Sequence, residues 1–109
     1  MVSKKNTRLK IISMWREYVE ILVRVVKKLY PETRICLVGG VAENRLTIYS
    51  DIDVVIVFKE KPSFEKAVDV RTRIWEEAEK EGLPIYAPIE LHIIGEEDLG
   101  RYGKTICID

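Results

Sequence analysis

The sequence has little of several residue types: glutamine is absent, histidine occurs once and cysteine twice in 109 residues. Its apolar runs are far shorter than the roughly 20 residues that cross a bilayer. Residues 1–5 lead into a charged segment rather than the apolar core of a signal peptide. We therefore expect a cytoplasmic protein with no membrane partner. The 18 basic and 18 acidic residues cancel, which argues against a long nucleic acid as partner.

The scarce residue types carry two further expectations. The missing glutamine accompanies abundant lysine and glutamate, a balance typical of proteins from thermophiles. Cys36 and Cys107 lie in apolar segments and lack the spacing of metal ligands. Because thiols stay reduced in most cytosolic proteins, we expect two buried free cysteines.

The length and composition predict one domain spanning residues 1–109, since a chain of this size supports a single hydrophobic core. Pro31 ends a first helix, Ser63 is the expected N-cap of a second, and Gly82 ends that second helix. The buried stripe of the second helix is predicted to be Phe64, Ala67, Val68, Ile74, Trp75 and Ala78. In chain order the predicted elements are a helix Leu9–Leu29, a strand Ile35–Val38, a helical turn and loop Val41–Tyr49, a strand Asp51–Phe58, the second helix, a strand Ile89–Ile94, and an acidic turn followed by an edge strand at 105–108.

This succession predicts an α+β fold with two layers, in which a small mixed β-sheet carries both long helices on one face. Strand alternation places the even-numbered residues from Ile52 to Phe58, and the odd-numbered ones from Ile89 to Ile93, beneath the helices. The opposite face then carries Asp51 and Asp53 on one strand and Glu90 and His92 on another. If the two strands are neighbours, three carboxylates converge on the face away from the helices.

The most informative motif joins a glycine pair to two of these acids. Gly39 and Gly40 follow an apolar strand, and ten residues, 41–50, separate them from Asp51. Asp51 and Asp53 share a strand face about 6.6 Å apart along the chain, so both can reach one hard cation or a close pair. Glycines at a turn leave backbone N–H groups open to an approaching phosphate. Such a combination is suited to phosphoryl or nucleotidyl transfer.

These residues resemble the signature of the minimal nucleotidyltransferase (MNT) family in the DNA polymerase beta superfamily. That signature is a hydrophobic residue, Gly, Gly or Ser, about a dozen residues, and Asp-hydrophobic-Asp. A third carboxylate on a later strand completes it, and Glu90 occupies that place. The resemblance runs from about Leu29 to Leu99 and implies a polymerase beta-like nucleotidyltransferase core.

The resemblance also implies an activity, which is transfer of a nucleoside monophosphate, most simply AMP from ATP, to a hydroxyl acceptor. Asp51, Asp53 and Glu90 would bind two Mg²⁺ ions, with Mn²⁺ as an alternative, and Glu90 could act as base. The implied nucleotide-binding residues are Gly39, Gly40, Arg45 and Ser50. Small relatives often act as antitoxins that adenylylate a HEPN-domain toxin, so a HEPN protein is an implied partner.

The sequence departs from the family pattern in the phosphate loop. Gly40 replaces a common serine, and Glu43 adds an anion where a triphosphate should bind. Losing a charge-assisted hydrogen bond costs about 1.5–3 kcal/mol, so tight nucleotide binding is in question. The alternative function is a catalytically weak or inactive MNT-fold module that neutralises a HEPN-type partner by occlusion.

Each candidate residue also has a purely structural interpretation. Asp51 and Asp53 could accept hydrogen bonds from loop amides at the start of a strand. Glu90 could lie on the solvated side of an edge strand. His92 could be a surface residue or a ligand, and it lines the cleft if Glu90 reaches the metals.

Two apolar surfaces predict association. The first helix carries Met14, Tyr18, Ile21 and Val25 beside its core stripe, and the carboxylate face carries Val55, Val57 and Ile94 without obvious cover. Exposed patches of this kind usually mark an interface, so we expect a homodimer or a helical partner. In the alternative interpretation the C-terminal tail covers one patch and the helix buries the other.

Overall fold

A computed structural model describes residues 14–44 and 51–108 of the chain. Its elements, in order, are helix α1 (Trp15–Leu29), strands β1 (Arg34–Val38) and β2 (Ile52–Phe58), helix α2 (Phe64–Lys80), strand β3 (Ile89–Gly95), a 3₁₀ helix (Glu96–Arg101) and strand β4 (Ile106–Cys107). The predicted order of elements is therefore confirmed. The start expected at Leu9 lies outside the described residues, and so does the end of the loop predicted after the turn 41–44.

The four strands form one mixed sheet in the order β3-β2-β1-β4. Strand β1 pairs antiparallel with both β2 and β4, whereas β2 and β3 run parallel and are joined through α2. A parallel pair needs a long crossover, and helix α2 provides it. The α+β fold with a small mixed sheet is confirmed.

Both helices cover one face of the sheet and form the main core with it. Leu22 and Val25 of α1 and Ile74 of α2 are fully buried against strand residues such as Ile35 and Ile56. Lys28 Nζ lies 2.7 Å from Glu77 Oε1 and joins the two helices at their surface. The even-numbered residues of β2 and Leu91 of β3 face the helices, as strand alternation predicts.

The ends of α2 are as the sequence predicts, but part of its buried stripe is not. Ser63 Oγ accepts a hydrogen bond from Lys66 N–H at 3.2 Å, and Gly82 follows the helix with a φ of +104°. Ile74 and Ala78 are buried, with Val70 one turn earlier. Phe64 and Val68 were predicted to be buried, and this is wrong: they are 82% and 42% exposed because the packed face of the helix runs through Val70 instead.

The other face of the sheet has a smaller apolar cluster covered by the tail. Val55 and Val57 are buried with Val38 and Cys36, and Leu99 and Tyr102 pack over them. The expectation that Val55 and Val57 are exposed is therefore wrong, and the alternative, in which the C-terminal tail covers them, is confirmed.

The second apolar stripe predicted on the first helix is also not an exposed patch. Tyr18 and Val25 are only 4% and 0% exposed, and Met14 and Ile21 pack partly buried against the same core. The stripe is buried because α1 lies deep against the sheet and the neighbouring helix, so more than one face of it is covered. These residues give no support to a self-association surface.

The expectation of free thiols is wrong, because Cys36 and Cys107 form a disulfide. The antiparallel register of β1 and β4 places the two cysteines directly opposite each other, on the face away from the helices. Pairing across 71 residues of sequence depends on how β4 returns to the sheet, which residue spacing does not reveal. The bond fastens the tail to an inner strand.

Strand β3 lies at the sheet edge beside β2 and contacts two other segments of the chain. Arg71 of α2 donates a hydrogen bond to the Leu91 carbonyl at 3.1 Å. At the C-terminal end of β3, a Cβ on Gly95 would lie 2.7 Å from the backbone of Lys61, so only glycine fits there.

Among the described helices, none combines the length and the apolar character needed to span a bilayer.

Candidate metal and nucleotide site

Two acids meet where β2 and β3 begin. Asp53 is the second residue of β2 and Glu90 the second residue of β3, and the parallel register pairs them directly. Residues paired in this way project from the same face, and here it is the face opposite the helices because Ile52 and Val54 are in the main core. Three carboxylates were predicted to converge here; the structure brings these two together, and Asp51 is not in the group.

His92 completes a group of three metal-ligating side chains. One ligand atom from each of Asp53, Glu90 and His92 lies within 4.8 Å of the others. His92 Nε2 is 3.1 Å from Asp53 Oδ1, and both side chains are about three-quarters buried, with 25% and 27% exposure. Glu90 is exposed, so the group is open to solvent on one side. Two carboxylates and an imidazole form a donor set that fits a divalent cation.

Gly39 makes room for Asp53. It follows β1 with a φ of +70°, a left-handed conformation that glycine adopts without steric cost. A Cβ at this position would lie 2.6 Å from Asp53 Oδ2, well inside van der Waals contact. The Gly39 carbonyl accepts a hydrogen bond from Glu43 N–H at 2.9 Å, so the turn 41–44 begins directly beside the aspartate. The glycine thus brings the turn and the carboxylate into contact.

Tyr102 lies against the histidine of this group. Its ring meets the His92 ring edge-to-face, with centroids 5.6 Å apart and planes at 70°. Burial, followed by the charges of Asp53, Asp98 and Glu90, raises the pKa of Tyr102 above its ordinary value. The raised pKa keeps the phenol neutral, so it adds no anion beside the two carboxylates.

The remaining residues predicted for the site are less closely placed. Asp51 is exposed immediately before β2 and is outside the group of three. Gly40 is half-buried beside Gly39, and Glu43 is exposed in the following turn. Arg45 and Ser50 lie outside the described residues, so their nucleotide-binding role stays a prediction.

Sequence reasoning did not include Tyr102. Its contact with His92 depends on the path of the 3₁₀ helix and on the disulfide beyond it, and no spacing in the sequence indicates either. For His92 the sequence left a surface position and a ligand position open. Its placement on the same strand face as Glu90, two residues away, was the available signal.

A separate apolar groove of about 710 Å³ lies on the helix side of the molecule. Its walls come from α1, from β1 and β4, and from Val41 and Asn44 of the turn after the glycine pair. None of the three clustered side chains lines it. The groove and the acidic group therefore lie on opposite sides of the sheet.

Comparison with known proteins agrees with this arrangement. The solved structure of a candidate nucleotidyltransferase from Sulfolobus solfataricus superposes with a TM-score of 0.57 at 16% identity, covering 97% of this chain and 87% of that one. A second candidate nucleotidyltransferase gives a TM-score of 0.55 at 24% identity, covering 84% of this chain and 98% of the other. At such identities the similarity shows the fold.

Among curated proteins, none matches the chain significantly. Residues 19–102 match the family model of the nucleotidyltransferase domain. This segment contains most of α1, all of β1, β2, α2 and β3, and the acidic group. The chain therefore belongs to the nucleotidyltransferase domain family.

Proposed function

We propose that the protein is a metal-dependent nucleotidyltransferase that transfers AMP from ATP to a hydroxyl acceptor. The observation that supports this most directly is the pairing of Asp53 with Glu90 in adjacent parallel strands, with Gly39 fitted against Asp53. Two acids and a glycine turn in contact are the parts that bind the metal and the phosphates in such a reaction.

The proposed roles follow from position and charge. Asp53 and Glu90, together with Asp51 at the start of the strand, would hold Mg²⁺ or Mn²⁺, most simply two ions. When bound, the metal neutralises phosphate charge and lowers the pKa of the acceptor hydroxyl. Gly39 and Gly40 would present backbone N–H groups to the phosphates, and Arg45 and Ser50 would complete nucleotide binding.

In the proposed reaction the acceptor oxygen forms a bond to the α-phosphorus as the bond from that phosphorus to the β-bridging oxygen breaks. Pyrophosphate leaves with the electron pair of the broken bond. Glu90 is the most exposed member of the group and is the residue we assign to receive the hydroxyl proton. Asp53, held between Gly39 and His92, keeps a fixed orientation through the reaction.

For the acceptor we propose a HEPN-domain partner, which would make this chain the antitoxin of a toxin–antitoxin pair; a homodimer is a further proposal. An alternative function is neutralisation of that partner by binding alone. One observation favours the alternative: Glu43 is exposed in the turn that follows Gly40, and its negative charge opposes a triphosphate there. We also propose that the protein is cytoplasmic and comes from a thermophile. A disulfide is not unusual in such a protein, because intracellular proteins of hyperthermophiles are rich in disulfides.

The test is incubation of the purified chain with α-labelled ATP, Mg²⁺ and a candidate HEPN protein, followed by detection of label on protein. We expect Asp53→Asn to reduce transfer at least about a hundredfold, because even partners of metal ligands are worth about 10–100-fold. Asp69→Asn is the matched control, since Asp69 is an exposed helix acid paired with Arg73 at 3.0 Å. Near-wild-type transfer by Asp53→Asn, in a folded variant, would refute the assignment. Partner neutralisation without any labelling would favour the binding-only alternative.

A further inference from the structure

We propose that His92 is a nitrogen ligand of the metal site, so that the site prefers a divalent first-row transition ion over Mg²⁺. This inference rests on the proposed function in taking Asp53 and Glu90 as metal ligands, and it adds the chemical class of the ion. Oxygen-only sites suit Mg²⁺, whereas imidazole suits first-row ions such as Fe²⁺, Ni²⁺, Cu²⁺ and Zn²⁺. Mn²⁺ also accepts oxygen ligands and binds most weakly of this series, so it is the strictest probe of the preference.

The geometry of His92 fits ligation as well as it fits a hydrogen bond. An octahedral ion with bonds of about 2.1 Å separates adjacent ligand atoms by about 3 Å. His92 Nε2 and Asp53 Oδ1 are 3.1 Å apart, and both belong to a group whose ligand atoms lie within 4.8 Å of each other. The three side chains therefore lie close enough for one ion to contact Asp53, Glu90 and His92 after the side chains adjust.

His92 is also held more firmly than a surface histidine. It projects from the middle of β3, its side chain is 25% exposed, and the ring of Tyr102 lies edge-to-face against it. A ligand held in advance loses less conformational entropy when the ion binds. Asp51, by contrast, is exposed before β2 and is not part of the group.

A different role for His92 makes a different prediction. If the imidazole only orients Asp53 by a hydrogen bond, it will influence all divalent ions alike and will not contact the metal. Ligation through nitrogen predicts a direct magnetic coupling between the bound ion and the ring. It also predicts that the preference for Mn²⁺ over Mg²⁺ becomes smaller when the imidazole is removed.

The experiment is a titration of the full chain, without nucleotide, using Mn²⁺ detected by electron paramagnetic resonance and Mg²⁺ as competitor. For the wild type we expect Mn²⁺ to bind more tightly than Mg²⁺, with a nitrogen coupling in the pulsed spectrum. His92→Gln should lose the coupling and weaken Mn²⁺ binding about 10–100-fold, while Mg²⁺ binding changes far less. His92→Asn is a second variant in case the first does not fold, and Asp69→Asn, at an exposed helix acid outside the group, is the control.

Bound Mn²⁺ without nitrogen coupling, or equal weakening of both ions by His92→Gln, would overturn the proposal. The readout is independent of catalysis. Labelling by the wild type in Mg²⁺ together with an uncoupled Mn²⁺ spectrum would leave the proposed function intact and reject the ligand role. A nitrogen-coupled Mn²⁺ spectrum in a chain that transfers no nucleotide would support the ligand role of His92 and reject the proposed function.

Discussion

The two faces of the sheet are built from the same strands but are stabilised differently. On the helix side, alternate residues of β1, β2 and β3 are apolar and buried under two helices. On the other side, β2 changes from Asp53 at its start to Val55 and Val57 further along. Among the described residues, the 3₁₀ helix and Tyr102 pack over this apolar part.

This difference shows how a small domain combines stability with an open site. Burial on the helix side is extensive, and at about 25 cal/mol per Å² of apolar surface it is the main source of folding free energy. The carboxylate side leaves its polar end exposed to solvent and has less apolar surface to hold its cover. A disulfide supplies part of what burial does not.

The largest expected effect concerns that disulfide. Cys107→Ala should lower the free energy of unfolding by about 4 kcal/mol, because a cross-link across 71 residues removes much of the entropy of the unfolded chain. Denaturant unfolding of the variant and of wild type, each with and without reductant, measures this. Reduced wild type should unfold with the variant, and a wild type insensitive to reductant would mean that the tail is held by packing alone.

The next effect compares buried side chains on opposite faces of one strand. Ile56 and Val57 are 0% and 1% exposed. Ile56→Ala should lower the free energy of unfolding by about 3 kcal/mol and Val57→Ala by about 2 kcal/mol. The second change costs less because it removes less volume and because the covering tail can move into the cavity. Both costs come from chemical denaturation at equal temperature. A larger cost for Val57→Ala would mean that the face covered by the tail contributes more to stability than the face covered by the helices.

A third effect is centred on Gly39. Gly39→Ala should cost about 2 kcal/mol and should also weaken metal binding, because the new Cβ would meet Asp53 Oδ2 at 2.6 Å. Gly82→Ala is the matched control: its φ is +104°, and no atom lies within 4 Å of the added Cβ. The control should lose stability without losing metal affinity. Equal metal binding by all three proteins would show that Gly39 serves only the backbone turn.

The smallest effect is a loss of stability at alkaline pH. Burial, ahead of the charge of Tyr86 and then Glu17, raises the pKa of Tyr18 on the helix side, and burial with nearby carboxylates raises the pKa of Tyr102 on the other. A raised pKa means that the folded state holds the phenolic proton more tightly. The resulting stability is complete below the ordinary tyrosine pKa of about 10 and is lost as pH rises through the folded value.

In the variants Tyr18→Phe and Tyr102→Phe, the free energy of unfolding should therefore fall less steeply with pH than in the wild type. The difference is expected between about pH 9 and pH 12, the range around the ordinary tyrosine pKa. Unfolding curves at a series of pH values measure the slopes. An unchanged slope for Tyr102→Phe would mean that this ring is solvated and that the tail covers the site loosely.

Local patterns in the sequence predict much of the fold and the nucleus of the site. The alternation in Ile52–Phe58, the N-cap Ser63 and the acids at Asp53 and Glu90 depend on neighbours within a few residues, and each is found as predicted. Parallel pairing of β2 with β3 then follows from one helical crossover, and it brings the two acids together.

What the sequence could not reveal depends on contacts between distant parts of the chain. The disulfide, the burial of Val55 and the contact of Tyr102 with His92 all require the tail to return beside β1. The depth of α1 against the sheet, which buries Tyr18 and Val25, is set by packing of whole elements. Helical periodicity identifies possible buried positions but not how many faces of a helix are covered.

The Cys36–Cys107 bond also changes the connectivity of the molecule. In the oxidised protein the segment from 36 to 107 is a covalent ring, and residues 1–35 form one arm attached to it. Gly39, Asp53, Glu90 and His92 all lie within the ring, whereas α1 lies in the arm. A protease that cuts the ring once leaves its two pieces joined until a reductant is added, so the residues of the site stay on one molecule. A cut in the arm leaves a fragment that no covalent bond joins to the ring and that only packing holds in place.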